Sequence, residues 1–234
     1  MHAVPRESLR CDVCAVGGRA ACAALDYDER KELAKLGHHR TLSRSQTLFS
    51  AGDENELCAT LISGALKVSS FDRDGTEHIV SLIHPAGFVG ELFAPSSHHD
   101  IIALTDCEIC VFPRVQYEQA LQRFPALGRA LLRRTGEALT ESRELLASVA
   151  RRTAGQRVAG FLMSLARAAN DTECHSAIEF DLVLTRGEIA SLLGLTIETV
   201  SRQLTKLEKE GVIRRRAARG ILISDAARLG TLAA

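Results

Sequence analysis

The sequence predicts an α+β chain: an antiparallel β sandwich or barrel, then a long helix, then a winged helix-turn-helix. Three stretches predict it. From Arg40 to about Pro113, short β-prone runs alternate with turn signals. Between Gly136 and Gly155 the chain has no Gly or Pro, and apolar residues recur at spacings of 3 and 4. From Thr185 to Ile223, two capped amphipathic segments meet at Gly194 and lead into two β-prone runs around an Arg-rich turn.

Residues 1–24 are rich in Cys, Ala and Gly and carry little pattern, whereas Asp26–Leu36 has the spacing of a short amphipathic helix. The β-prone runs are Thr47–Phe49, Ala59–Ile62, Ala65–Ser69, His78–Ile83, Phe88–Val89, Ile101–Leu104 and Glu108–Phe112. Ala51-Gly-Asp, Ser63-Gly64, Asp74-Gly75 and Pro85-Ala-Gly87 punctuate them. Many short strands at that spacing indicate a sandwich or barrel.

Phe124-Pro125 opens the long helix. Leu132, Thr135, Leu139, Ser142, Leu146 and Val149 form a heptad seam, widened by Leu131, Ala138 and Leu145. Such a seam suits a short parallel coiled coil between two copies of the chain, or a helix packed on its own β domain. Thr135, Ala138 and Ser142 make it weaker than an all-Leu seam. Ala150–Thr153 reads as a hinge. A helix from Ala154 to about Ala169 follows, then a loop with Asn170, Asp171 and Cys174, and a strand Ile178–Leu184.

Thr185 and Glu188 fit a capping box, and Thr196 is a second N-cap candidate. The helix after Gly194 is expected to bury Ile197, Val200, Leu204 and Leu207. Its opposite face carries Glu198, Ser201, Arg202 and Lys206, with Thr196 and Thr199 at its start. Arg202 can donate two bonds to guanine, Glu198 can accept from cytosine N4, and Ser201 serves either base type. A polar face opening just after a tight turn is what a DNA major groove accepts. The arginines of Gly211–Ile223 are expected on phosphates.

The 234 residues are 46% apolar and 25% charged, with no net charge. From Arg151 onward there are 13 Lys/Arg against 9 Asp/Glu, so the C-terminal part is basic and the rest acidic. That suits a DNA-binding module joined to something that is not one. No apolar run reaches the ~18 residues of a membrane span, and no secretory h-region is visible, so a cytoplasmic protein is expected. Seven cysteines in a reducing compartment are metal ligands or buried thiols before they are disulfides. Cys58 and Cys174 are most simply buried or loop thiols. His78, His84, His98 and His99 read as solvated loop residues. The closely spaced histidine pair of a cupin-type enzyme is missing, so no enzymatic activity is expected.

This order of parts resembles the CRP/FNR superfamily of bacterial transcription regulators, above all at Leu184–Arg202, Gln46–Gly64 and Phe88–Glu91. The resemblance implies a jelly-roll β-roll like that of cyclic-nucleotide-binding domains. It divides the chain into a cysteine-rich segment (1–24), the β-roll sensor (25–124), a dimerisation helix and hinge (125–153) and a winged helix-turn-helix (154–234). In the cyclic-AMP branch an Arg-Ser pair follows Gly-Glu. Here Gly90-Glu91 is followed by Ser96-Ser-His-His-Asp100 without arginine, so no cyclic nucleotide is expected. In the oxygen-sensing FNR branch, three N-terminal cysteines and one from the β-roll hold a [4Fe-4S] cluster. Cys11-x2-Cys14-x7-Cys22 and Cys110 match them, with a longer gap before Cys22 than in the best-known members. Cys107 is the rival fourth ligand, and residues three apart in a strand face opposite sides. The same sulfurs can hold zinc. A relative without a cluster would answer to nitric oxide, haem, thiol redox or abundance. The resemblance further implies a homodimer on a two-fold TTGAT-type double-stranded DNA site, and contact with RNA polymerase, for which the loop Asp72–Thr76 is a candidate.

Overall fold

A computed structural model describes residues 7–169, 178–216 and 219–234. The chain forms two compact units, Met1–Glu141 and Ser142–Ala234, with the boundary inside one helix.

The first unit opens with β1 (Glu7–Ser8), 3-10 turns at Cys11–Val13 and Ala21–Ala24, and α1 (Tyr27–Leu36). Asp26 caps α1: its carboxylate accepts the Glu29 amide at 2.8 Å while Glu29 accepts the Asp26 amide at 3.2 Å. Gly37 ends the helix where a Cβ would sit 2.5 Å from the Phe112 ring, so no larger residue fits. Next come β2 (His38–Leu42), β3 (Thr47–Phe49), β4 (Leu57–Ser63), β5 (Leu66–Phe71), β6 (Glu77–Ile83), β7 (Phe88–Val89), β8 (Asp100–Ala103) and β9 (Cys107–Pro113). They form two antiparallel sheets, ordered β1-β2-β9-β4-β7 and β3-β8-β5-β6. The expected strands are all present. The sequence reading did not find β2, because His38-His-Arg-Thr-Leu42 offers only one fully buried residue, Leu42.

β9 decides what faces what. Cys107, Ile109 and Val111 point into the core between the sheets, with Leu42, Ala59, Leu61 and Leu66. Phe112 points the other way, into a second core with Leu25, Leu33, Cys58, Tyr117 and Leu127, and Cys110 packs against that core. This alternation is the period-2 geometry of a strand. The helix α2 (Arg114–Arg123) supplies Tyr117 and leads into α3 (Pro125–Arg151).

Along α3, Leu132, Leu139 and Leu146 are 73%, 49% and 70% exposed in the single chain. Thr135 is exposed too, while Ser142 and Val149 are half-buried. Val149 lies against the turn at Gly194, 3.3 Å from where a Cβ would stand there.

The second unit contains α4 (Ala154–Ala169), β10 (Ile178–Asp181), α5 (Arg186–Leu193), α6 (Ile197–Lys209), β11 (Ile213–Arg216), β12 (Gly220–Ile223) and α7 (Ala226–Ala233). Its core draws on Val158, Leu162, Ile189, Leu193, Val200, Leu204, Ile213, Ile223 and Leu229. β10, β12 and β11 form a small antiparallel sheet. Two expectations need correction. The strand after the Cys174 loop ends at Asp181, not Leu184. Ile197 is 52% exposed, because it is the first residue of α6 and projects before the helix meets the core. The Asn170–Cys174 loop lies outside the described residues.

Candidate functional site

The N-terminal segment is tied to the β-roll by an apolar peg. The amides of Gly17 and Ala20 donate to Cys14 and Val16 carbonyls at 3.0 and 2.9 Å, which folds the Cys14–Cys22 stretch into a compact turn. Val16 and Ala20 are thereby buried, at 1% and 4% exposure, against Ile62 of β4 and Ala86. Ala86 holds a left-handed φ of 74° to make this seat. Cys14, Cys22 and Cys110 pack around the peg.

The result is one cavity lined by Cys11, Cys14, Cys22 and Cys110. Leu9, Leu33, Phe112 and Tyr117 make the rest of its wall mostly apolar, and Arg30 of α1 contributes a charged side chain. The family resemblance predicts that these four cysteines meet, with Cys107 the rival of Cys110 because residues three apart in a strand face opposite sides. The structure places Cys107 on the opposite side of β9, with its thiol donating to the carbonyls of Ala65 and Thr105 at 3.4 and 3.3 Å. Cys58 is fully buried, and burial pushes its thiol up to about 12. Among the described residues, no three His, Cys, Asp or Glu side chains are arranged to hold a metal ion directly.

Burial raises the thiols of Cys110, Cys11 and Cys22 above their ordinary range, and the neighbouring cysteines raise them further. The guanidinium of Arg30 acts against this at Cys11 and Cys22. Four sulfurs facing one apolar space are costly as bare thiolates, and bound iron or zinc would replace the protons. A set of four soft donors with no oxygen or nitrogen ligand among them fits an iron–sulfur group.

In the β-roll loop, Glu91 is already engaged. Its carboxylate accepts the His98 amide at 3.0 Å and is hydrogen-bonded to the His98 ring, with the His99 ring 3.8 Å away. Asp100 accepts the Ala51 amide at 3.4 Å.

The second candidate surface lies on α6. The capping box at the start of α5 forms as expected: Thr185 accepts the Glu188 amide at 3.2 Å and Glu188 accepts the Thr185 amide at 2.8 Å. Gly194 ends α5 with a left-handed φ of 60°. Thr196 then caps α6, its hydroxyl accepting the Thr199 amide at 3.2 Å. Val200, Leu204 and Leu207 are buried, which turns Glu198, Arg202 and Lys206 outward and leaves Ser201 half-exposed. Glu198 is held below the usual carboxylate range by its own backbone amide and the Thr196 hydroxyl, so it is an acceptor at neutral pH. Arg202 Nη2 lies 3.4 Å from Thr199 Oγ1.

Two residues escaped the sequence reading. Arg186, the first residue of α5, donates to Ser201 Oγ at 3.2 Å and so joins the exposed face. Its only sequence signal is its place after the Thr185 cap. Arg30 carries no signal beyond lying in an amphipathic helix. Among the wing arginines, Arg215 pairs with α6: its Nε donates to Glu208 at 2.7 Å, with a second bond from Nη2. Arg216 stands 3.9 Å from Glu179, and Arg214 is exposed.

Comparison with known proteins places both halves. Residues 156–232 match the Crp-like helix-turn-helix domain and residues 39–124 the cyclic nucleotide-binding domain. The chain is 35% identical to the transcriptional activator protein FnrL of Cereibacter sphaeroides, over 98% of this chain and 94% of that protein. It is 30% identical to the nitrogen fixation regulation protein FixK of Bradyrhizobium diazoefficiens, over 96% and 94%. Among solved structures, FixK2 from Bradyrhizobium japonicum superposes with a TM-score of 0.77 at 25% identity, covering 85% of this chain and 98% of that one.

Proposed function

Because the chain belongs to the CRP/FNR family of DNA-binding transcription regulators, with FnrL and FixK among its relatives, we propose that it controls transcription in response to oxygen through a [4Fe-4S] cluster on Cys11, Cys14, Cys22 and Cys110. One observation carries this reading. Three cysteines of the N-terminal segment and one of β9 line a single, mostly apolar cavity, while Cys107 is turned into the other core and Cys58, buried behind Phe112, does not line it. A cluster there would supply oxygen-labile iron–sulfur redox chemistry.

The chain's own residues do the rest. The Val16–Ala20 peg and the thiols hold the segment on the β-roll. The exposed leucines 132, 139 and 146 offer a seam for a second copy. Covering each is worth roughly 1.5–3 kcal/mol before the cost of association, so the dimer is marginal and a few kcal/mol at the segment can switch it. The pair of α6 helices then reads a two-fold TTGAT-type site through Glu198, Ser201 and Arg202, with Thr196, Thr199 and Lys206 beside them. Glu91 is occupied by His98, which supports control without a cyclic nucleotide. RNA polymerase is the expected partner once the dimer sits on DNA.

The test is purification without oxygen, with iron, sulfide and visible absorption measured before and after air, for wild type, Cys110→Ser and Cys107→Ser. About four irons per chain are expected in wild type and C107S, with bleaching in air and loss of dimer and DNA binding. C110S should hold little iron. A colourless wild-type protein that binds its DNA equally well in air would assign the input to something else.

A further inference from the structure

We propose that Arg30 is a positioning residue for the group held by the four cysteines: its Nε–H donates to a sulfur in the cavity, and its fixed charge offsets theirs. This rests on the cluster reading above. Arg30 sits in the first turn of α1, eight residues after Cys22. Its Nη2 is anchored to the carbonyls of Leu25 and Ala23, at 3.2 and 3.5 Å, which fixes the guanidinium as part of the turn that carries Cys22. Its Nε is sealed from solvent and has no hydrogen-bond partner among the described residues. A buried donor without an acceptor is rare in native proteins and costly.

Arg30 also lines the thiol cavity, and no other residue along that wall is an Asp, Glu, Lys or Arg. An arginine against an apolar wall with four neutral thiols would be an unexplained expense; against four thiolates it is the expected counter-charge. Hydrogen bonds to sulfur and local net charge are the levers that set the potential and lifetime of such a group.

The experiment uses the full chain, wild type beside Arg30→Gln and Arg30→Lys, purified without oxygen. Iron content, visible spectrum, reduction potential and bleaching rate in air are recorded, together with the melting of the iron-free chains. Both variants should melt like wild type without iron and bleach about 10-fold faster when loaded. The potential of R30Q should move to more negative values. That of R30K, which keeps the charge but not the Nε–H, should move less. Wild-type bleaching and potential in R30Q would overturn the proposal. So would an R30Q whose iron-free chain already melts early, which would make Arg30 a brace for the Ala23–Leu25 turn and nothing more. Failure of wild type to take up iron would remove the cluster reading itself, a result visible before either variant is made.

Discussion

The face on α6 and the thiol cavity differ in how far the chain must travel to build them. Thr196, Glu198, Ser201, Arg202 and Lys206 lie within three turns of one helix, and their geometry follows from a cap, a left-handed glycine and a buried stripe. The cavity joins a segment with almost no regular structure to the middle of a sheet, with 87 residues between Cys22 and Cys110. The first surface is solvent-exposed and fixed by contacts of a few residues' reach. The second is mostly apolar, and it exists only if the Val16–Ala20 peg finds Ile62 and Ala86. A locally built surface can lose one contact and keep its shape, whereas a site assembled from distant segments fails as a whole.

Three substitutions probe that difference. Val16→Asp should act most strongly, because it leaves a carboxylate buried without a partner, at a cost of about 3–5 kcal/mol to the docked segment. Trypsin should then cut rapidly after Arg19 and iron uptake should vanish, while the melting of the helix-turn-helix unit stays put. If both units melt early together, the two sites are not separately built. Arg202→Ala should weaken binding to the preferred DNA by about 1–3 kcal/mol and relax choice at one base pair, with iron content unchanged. Equal weakening on every sequence would make Arg202 a phosphate contact. Arg215→Ala should do least. Its pair with Glu208 is partly exposed, and a double-mutant cycle with Glu208→Ala should give a coupling of about 0.2–1 kcal/mol. A larger coupling would mean that the wing is clamped to α6 as firmly as a core contact.

The same contrast explains what could be read from the sequence. The helix-turn-helix was legible because its signals are local: Thr185 with Glu188, Gly194, Thr196, and Val200 with Leu204. The strands were legible from turn residues, except the two-residue β1, and β2, whose His38–Leu42 run buries only its last residue. Strand geometry showed that Cys107 and Cys110 face opposite sides, and the family resemblance, not the geometry, pointed to Cys110. The partners of the cavity were not legible. Nothing in the spacing of Arg30 announces a buried Nε, and nothing in Ala86 announces the left-handed seat for Val16. The pairing of Arg215 with Glu208 was not legible either, because the hairpin brings the arginine beside α6, a juxtaposition made by folding.

β9 is paired on both flanks, with Cys110 opposite His39 on one side and Thr60 on the other. Adding or deleting one residue in that strand just before Cys110 would swing Cys110 into the sandwich interior, turn Val111 out of it and carry Phe112 out of its own core. The stretch between Cys14 and Cys22 belongs to no sheet and is held by a peg and a turn. Its length can change as a loop's length changes, at a cost that grows only slowly with each added residue. The four sulfurs therefore tolerate drift unequally: the gap inside the N-terminal group can widen or narrow outside the Val16–Ala20 peg, and the strand cysteine is locked to its place by parity.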